Sequence, residues 1–132
     1  MSWLVERLLV NYYEIKQGYV ADSEMCALLI SLEVKIDELR SKGLLNDEED
    51  TLIAKLKEYY TVTELSKDLG LSRISTSTKI DRLMTKLALC LGGIYTDEGY
   101  SKHLAEVYDL NDVQTEQIKL LMTGKYKRTY MR

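Results

Sequence analysis

The sequence predicts an all-α protein, and three observations carry that expectation. Proline is absent from all 132 residues, so no residue lacks the N–H that a helix interior needs. Apolar residues recur at three- and four-residue spacings through nearly the whole chain. Turn signals are few and fall where that periodicity lapses, at Gly18, Gly43, Gly70 and the Gly92-Gly93 pair. The length suits one domain with its own core, built from five to six helices around a central helix-turn-helix. Phe is absent while Tyr is frequent, so tyrosine must supply the large core rings, with hydroxyls reaching water.

Residues 1–43 read as an N-terminal helical pair. The first helix runs from Ser2 to Gln17, with Trp3, Leu4, Leu8, Leu9, Tyr12 and Ile15 mostly on one face, and Gly18 breaks it. It is a core helix whose apolar content also suits a dimer or partner contact. The second runs from Ala21 to Ser41, capped by Asp22 or Ser23. Its seam of Met25, Leu28, Leu29, Leu32, Ile36 and Leu39 is shorter than a coiled coil requires.

Residues 44–93 form the central unit. Lys42 to Leu45 is a turn in which Leu44 or Leu45 can staple the next helix. Asn46 caps that helix, and Asp47, Glu48, Glu49 and Asp50 fill its first turn, where carboxylates suit the helix dipole. Its core face is Leu52, Ile53, Leu56, Tyr59 and Tyr60. Thr61 and Glu64 make a T-x-x-E capping box, and Val62, Leu65 and Leu69 share a face. Gly70 suits a left-handed C-cap, Leu71 can plug the angle of the turn, and Ser72 caps the next helix. Cap, helix, glycine, cap, helix is the layout of a helix-turn-helix.

The second helix of that pair carries an inward stripe of Thr76, Ile80, Leu83, Met84, Leu87 and Leu91. Its other face holds Ser75, Thr78, Arg82 and Thr85, flanked by Lys79 and Lys86, with Arg73 at the N-terminal tip. Small hydroxyl residues let a helix approach the major groove, and Arg and Lys reach base edges or phosphates. A merely solvated face would carry more Glu and Lys, because hydroxyl residues are poorer helix formers. The expected contacts are Arg73, Ser75, Thr78, Lys79 and Arg82 on DNA, with Lys86 and Lys67 on phosphate.

The net charge of −3 does not by itself suggest a nucleic-acid binder, but the charge is uneven. Residues 21–50 hold nine acids against three bases, and residues 61–86 hold five bases against three acids. The tail, 125–132, carries Lys125, Lys127, Arg128 and Arg132 and no acid. Fields decay within about 8 Å at physiological salt, so a locally basic face can bind a polyanion beside an acidic body. That acidic body would face away from DNA or towards a basic protein.

From Leu44 to Ser72 the chain resembles the DNA-binding region at the C-terminal end of bacterial sigma factors. It is also similar to the sigma-like phage late-gene regulators of the ArpU and RinA type. Glu64-Leu65-Ser66, Gly70-Leu71-Ser72 and the stretch from Arg82-Leu83 to Lys86-Leu87 stand where those proteins carry their helix-turn-helix signature. The likeness extends to about Leu91 and, more loosely, to the first helices. Two positions depart from it. Ser66 replaces the usual Ala, and Thr76 stands where Val or Ile is usual, with Ile74 two residues earlier. The resemblance implies sequence-specific DNA binding in transcription, by a regulator of phage or mobile-element origin.

In residues 94–124 a second helical pair is expected, 97–108 and 111–122, with Asn111 as N-cap and Gly124 as C-cap. Leu104, Val107, Tyr108 and Leu110 would face Val113, Ile118, Leu121 and Met122. Residues 94–100 make either a small hairpin, the wing of a winged helix, or a cap at Thr96 or Asp97; the cap is the preferred reading. The basic tail either follows phosphates or is a solvated end.

No catalytic residue, metal site or cofactor is nominated. His103 is the only histidine, and nothing in the sequence places a nucleophile or acid beside it. Cys90 and His103 are too few for structural zinc, and no glycine-rich phosphate loop is present. Cys26 and Cys90 read as buried free thiols, which fits a reducing cytoplasm. No apolar run approaches the ~18 residues of a membrane span, and no secretory signal pattern opens the chain. The expected partner is duplex DNA, with RNA polymerase or another regulator, or a second copy in a homodimer, as further options. The rival reading is a protein-interaction module that reuses a helix-turn-helix to hold polymerase or a repressor. A phage DNA-packaging recognition subunit is the third, and an enzyme is not expected.

Overall fold

In a computed structural model that describes residues 3–18, 23–59 and 61–123, every regular element is helical. Eight α-helices occur among these residues, rather than five to six: α1 (Trp3–Val10), α2 (Tyr12–Lys16), α3 (Ser23–Ser41), α4 (Asp47–Leu56), α5 (Val62–Leu69), α6 (Arg73–Leu91), α7 (Asp97–Val107) and α8 (Asp112–Thr123). A single 3-10 turn, Gly93–Tyr95, links α6 to α7. No described helix is long and apolar enough to cross a membrane.

Part of the higher count comes from Asn11. Its backbone leaves helical geometry at φ −99° and ψ 20°, and its side-chain amide donates to the Arg7 carbonyl at 3.0 Å. An asparagine that bonds its own neighbourhood competes with the helix, so the expected first helix is two. The half before the break is also not amphipathic. Leu4, Val5, Glu6, Leu8, Leu9 and Val10 are all buried, and only Trp3 and Arg7 are half-buried, so the apolar stripe is far wider than one face.

Residues 7–80, so far as they are described, form one compact unit. Here α2 packs on α3, and Leu29, Leu32, Ile36 and Leu39 supply the buried seam of α3. Met25 and Leu28 are only half-buried. Asn46 and Glu49 form a complete capping box, with Glu49 N–H on Asn46 Oδ1 at 2.8 Å and Asn46 N–H on Glu49 Oε1 at 3.0 Å. Leu45 is buried while Leu44 stays exposed, but the staple position one turn into α4 is Asp50, so no hydrophobic staple is formed there. The α4 core is Leu52, Ile53 and Leu56; Tyr59 lies beyond the helix end and is half-exposed.

Residues 3–6 and 81–123 form the other unit. Leu83, Met84, Leu87, Tyr95, Tyr100 and Met122 are buried in it. The Trp3 ring stacks on Tyr100 at 5.8 Å, and Tyr100 on His103 at 6.3 Å. Thr96 accepts from Gly99 N–H at 2.9 Å, so residues 94–100 hold a helix cap and not a hairpin wing. A Cβ at position 99 would meet the Gly93 carbonyl oxygen at 1.9 Å, so only glycine fits there. In the C-terminal pair, α7 packs on α8, but Val107, Tyr108, Val113 and Leu121 are exposed rather than facing one another. Asn111 and Gln114 box the start of α8 reciprocally.

Both cysteines are free, as the sequence suggests, but neither is buried: Cys90 is exposed, and Cys26 is half-buried with its thiol on the Ile15 carbonyl at 3.5 Å. The proposed caps at Asp22 and Gly124, the start at Ser2, Tyr60 and the basic tail lie outside the described residues.

Candidate nucleic-acid interface

The candidate surface is built by the turn between α5 and α6. The α5 helix starts at Thr61, whose hydroxyl accepts from Glu64 N–H at 3.1 Å. Only this half of the expected capping box is made. At the other end Gly70 adopts φ 69° and ψ 31°. Its N–H reaches the Lys67 carbonyl at 3.2 Å, and Leu71 N–H reaches that of Ser66 at 3.0 Å. Those two bonds are a Schellman cap, which needs a left-handed residue at its centre. Ser66 is buried without penalty because its hydroxyl donates to the Thr63 carbonyl at 2.8 Å.

Three residues after α5 the next helix begins. Ser72 Oγ accepts from Ser75 N–H at 3.1 Å and donates to Ser75 Oγ at 3.0 Å. The inward position that Val or Ile would fill is held by Thr76, with no exposed surface. Its hydroxyl is satisfied by the Ser72 carbonyl at 2.9 Å, which is how a polar residue occupies an apolar site. Ile74, 200° away around the helix, is 81% exposed.

The face of α6 is thereby fixed. Ile74, Thr78, Arg82, Thr85 and Leu89 share one exposed stripe at helical spacing. Arg73 and Ser75 are exposed at its N-terminal end, and Lys86 is half-buried beside it. Lys67 is exposed on α5. Thr78 Oγ donates to the Ile74 carbonyl at 2.9 Å. Sequence reasoning missed Ile74 as a member of this face. The signal that finds it is its spacing of four and eight from Thr78 and Arg82.

Lys79 behaves differently from the others. It is half-buried and its ammonium is paired with the Glu48 carboxylate from the first turn of α4. The acidic first turn therefore does more than cap its helix, because it shares one cation of the candidate face. The first turn of α6 carries Arg73 and no acid, whereas α4, α5, α7 and α8 all place acids there. A cation at the positive end of a helix is unfavourable unless an anion comes to it.

Elsewhere in residues 7–80, Glu33 sits among Tyr12, Lys16 and Lys57. Burial works to raise its pKa, but hydrogen bonds from Tyr12 and Lys16 and the nearby ammonium charges hold it below the usual range. Lys57 is pushed down by burial, and its ammonium lies 4.2 Å from the Tyr12 ring centre. Among the described residues no group of three or more His, Cys, Asp or Glu could hold a metal ion. Comparison with protein-family models, with curated proteins and with solved structures gave no match.

Proposed function

We propose that α5, the Gly70 turn and α6 act as a helix-turn-helix, and that the protein is a small DNA-binding transcription regulator that reads duplex DNA with α6. The observation that carries this reading is the N-terminal half of α6. It is free of acids in its first turn and bears Arg73, Ser75, Thr78 and Arg82 on exposed positions. Helices used this way contact base edges with their N-terminal residues, and cations alongside fix the register on phosphate. The likeness to sigma-like phage regulators points the same way.

The test is retention on random-sequence and own-genome duplex fragments at two salt concentrations, for wild type and the Arg73→Ala/Arg82→Ala variant. If both arginines meet phosphate, the slope of log affinity against log salt becomes shallower by about 2. If Arg82 instead reads a base, its loss costs about 1–3 kcal/mol on preferred sequences only. Absence of retention by wild type at low salt overturns the proposal. A protein-interaction role is the second reading, favoured by Leu89, which is 81% exposed on the same helix. Under it the two arginine substitutions are tolerated and Leu89→Ser abolishes partner binding.

A further inference from the structure

We propose that Ile74, together with the methyl group of Thr78, reads the C5-methyl group of thymine, so that the first two turns of α6 select methyl-bearing pyrimidines. This rests on the reading of α6 as a major-groove helix and specifies what it recognises there.

Ile74 is the second residue of α6 and stands 81% exposed. Neither solvation nor helix propensity accounts for it, because a β-branched apolar side chain is poor at both. The neighbouring outward residues are polar, so Ile74 is a local choice and not the edge of a core. Thr78 follows one turn later on the same face. Its hydroxyl hydrogen is committed to the Ile74 carbonyl at 2.9 Å. Thr78 therefore has no donor left for a base, and it offers a methyl group and an oxygen lone pair.

The residues on either side of this stripe are chemically different. Ser75, about 100° to one side of Ile74, has its Oγ accepting from Ser72 Oγ, so its own hydrogen stays available, and Arg73 lies about 100° to the other side. The helix tip therefore carries an apolar stripe, Ile74 and Thr78, between the polar Arg73 and Ser75.

In the major groove, thymine alone among the four standard bases presents a methyl group. Residues four apart on a helix face place their Cβ atoms about 5–6 Å apart. Successive bases on one strand rise by about 3.4 Å, so the pair spans one or two base steps. The chemistry that fits is a thymine, or two close together, at the position under the helix tip. A 5-methylcytosine presents the same group and fits equally.

The experiment first selects a preferred duplex with wild-type protein from a random pool. Each thymine of that site is then replaced singly by deoxyuridine, which removes only the methyl group. Wild type should lose about three- to tenfold in affinity at one or two positions, on the order of one buried methyl group. At those positions, cytosine replaced by 5-methylcytosine in a C·G-substituted site should recover part of the loss. Ile74→Ala should become indifferent to the replacement while keeping its salt dependence, and Ile74→Val should retain the discrimination. Equal binding of every deoxyuridine duplex by wild type overturns the inference, as does undiminished discrimination by Ile74→Ala. Failure to bind any duplex at low salt overturns the DNA-binding reading itself and this inference with it. That outcome differs from selective binding that ignores the methyl group.

Discussion

Replacing Ile74 and Ile80 separately by alanine tests the rotational setting of α6 on which the candidate face depends. Ile80 has no exposed surface, and Ile74 keeps 81% of its own. Burying an isoleucine fully is worth about 1.5–3 kcal/mol by transfer. The fifth of its surface that Ile74 hides is then worth no more than about half a kcal/mol, and alanine returns a few tenths through helix propensity. Ile74→Ala should therefore leave stability within about 0.5 kcal/mol of wild type. Ile80→Ala should cost about 2–5 kcal/mol, because a cavity is added to the lost transfer energy. Urea denaturation followed by far-UV circular dichroism measures both, and an unchanged slope shows that the shift is in stability. A helix turned by two residues, 200°, would bury Ile74 and bring Thr76 out. Ile74→Ala costing 2 kcal/mol or more would refute the face assigned here, and with it the reading of Arg73, Ser75, Thr78 and Arg82.

Three further outcomes follow from the structure. Gly70→Ala should destabilise by about 1–2 kcal/mol through backbone strain alone, since its φ is 69° and a Cβ there meets nothing within 4 Å; thermal or urea unfolding reads this. Glu48→Gln should release Lys79, raise affinity for duplex DNA, and steepen the salt dependence by about one unit of slope in a binding titration, whereas no change would mean that Lys79 does not reach phosphate. Asp97 is raised by burial, partly offset by the Trp3 N–H that donates to Oδ1 at 2.7 Å, and its Oδ2 is buried with no hydrogen-bond partner. A carboxyl raised in the folded state binds its proton before the unfolded chain does, so its contribution is full below the unfolded value and is lost as pH rises through the folded one. The stability of wild type relative to Asp97→Asn should therefore increase as pH falls from neutral towards the ordinary aspartate range; a flat difference across that range would show that burial does not perturb Asp97. Glu33 and Asp68 are held low and act in the opposite sense, which is why the comparison is with the variant and not with wild type alone.

What could be read from the sequence was whatever a few neighbouring residues decide. Asn46, Thr61, Gly70, Ser72, Thr96 and Asn111 mark helix boundaries, and each acts through bonds to residues within about five positions along the chain. What was not legible depends on distant partners. Periodicity gave Thr76 its inward place but not the hydroxyl bond to Ser72 that makes the place tolerable. It offered α1 as a one-faced helix, although Glu6 is buried along with its apolar neighbours. It counted Cys90 among buried thiols, yet the packing of α6 leaves that residue exposed.

The candidate site divides along the same line. Residue type and spacing on one helix nominate Arg73, Ser75, Thr78 and Arg82, and helical geometry alone adds Ile74. The state of Lys79 was hidden because its partner, Glu48, lies 31 positions away on another helix. That pairing changes the electrostatic argument. An acidic first turn that looked like simple capping chemistry also competes with any phosphate for a cation of the face. At physiological salt an exposed pair of this kind is worth on the order of 1 kcal/mol or less. A pair of that strength would lower the affinity of this face for a phosphate without abolishing it, and Glu48→Gln measures by how much.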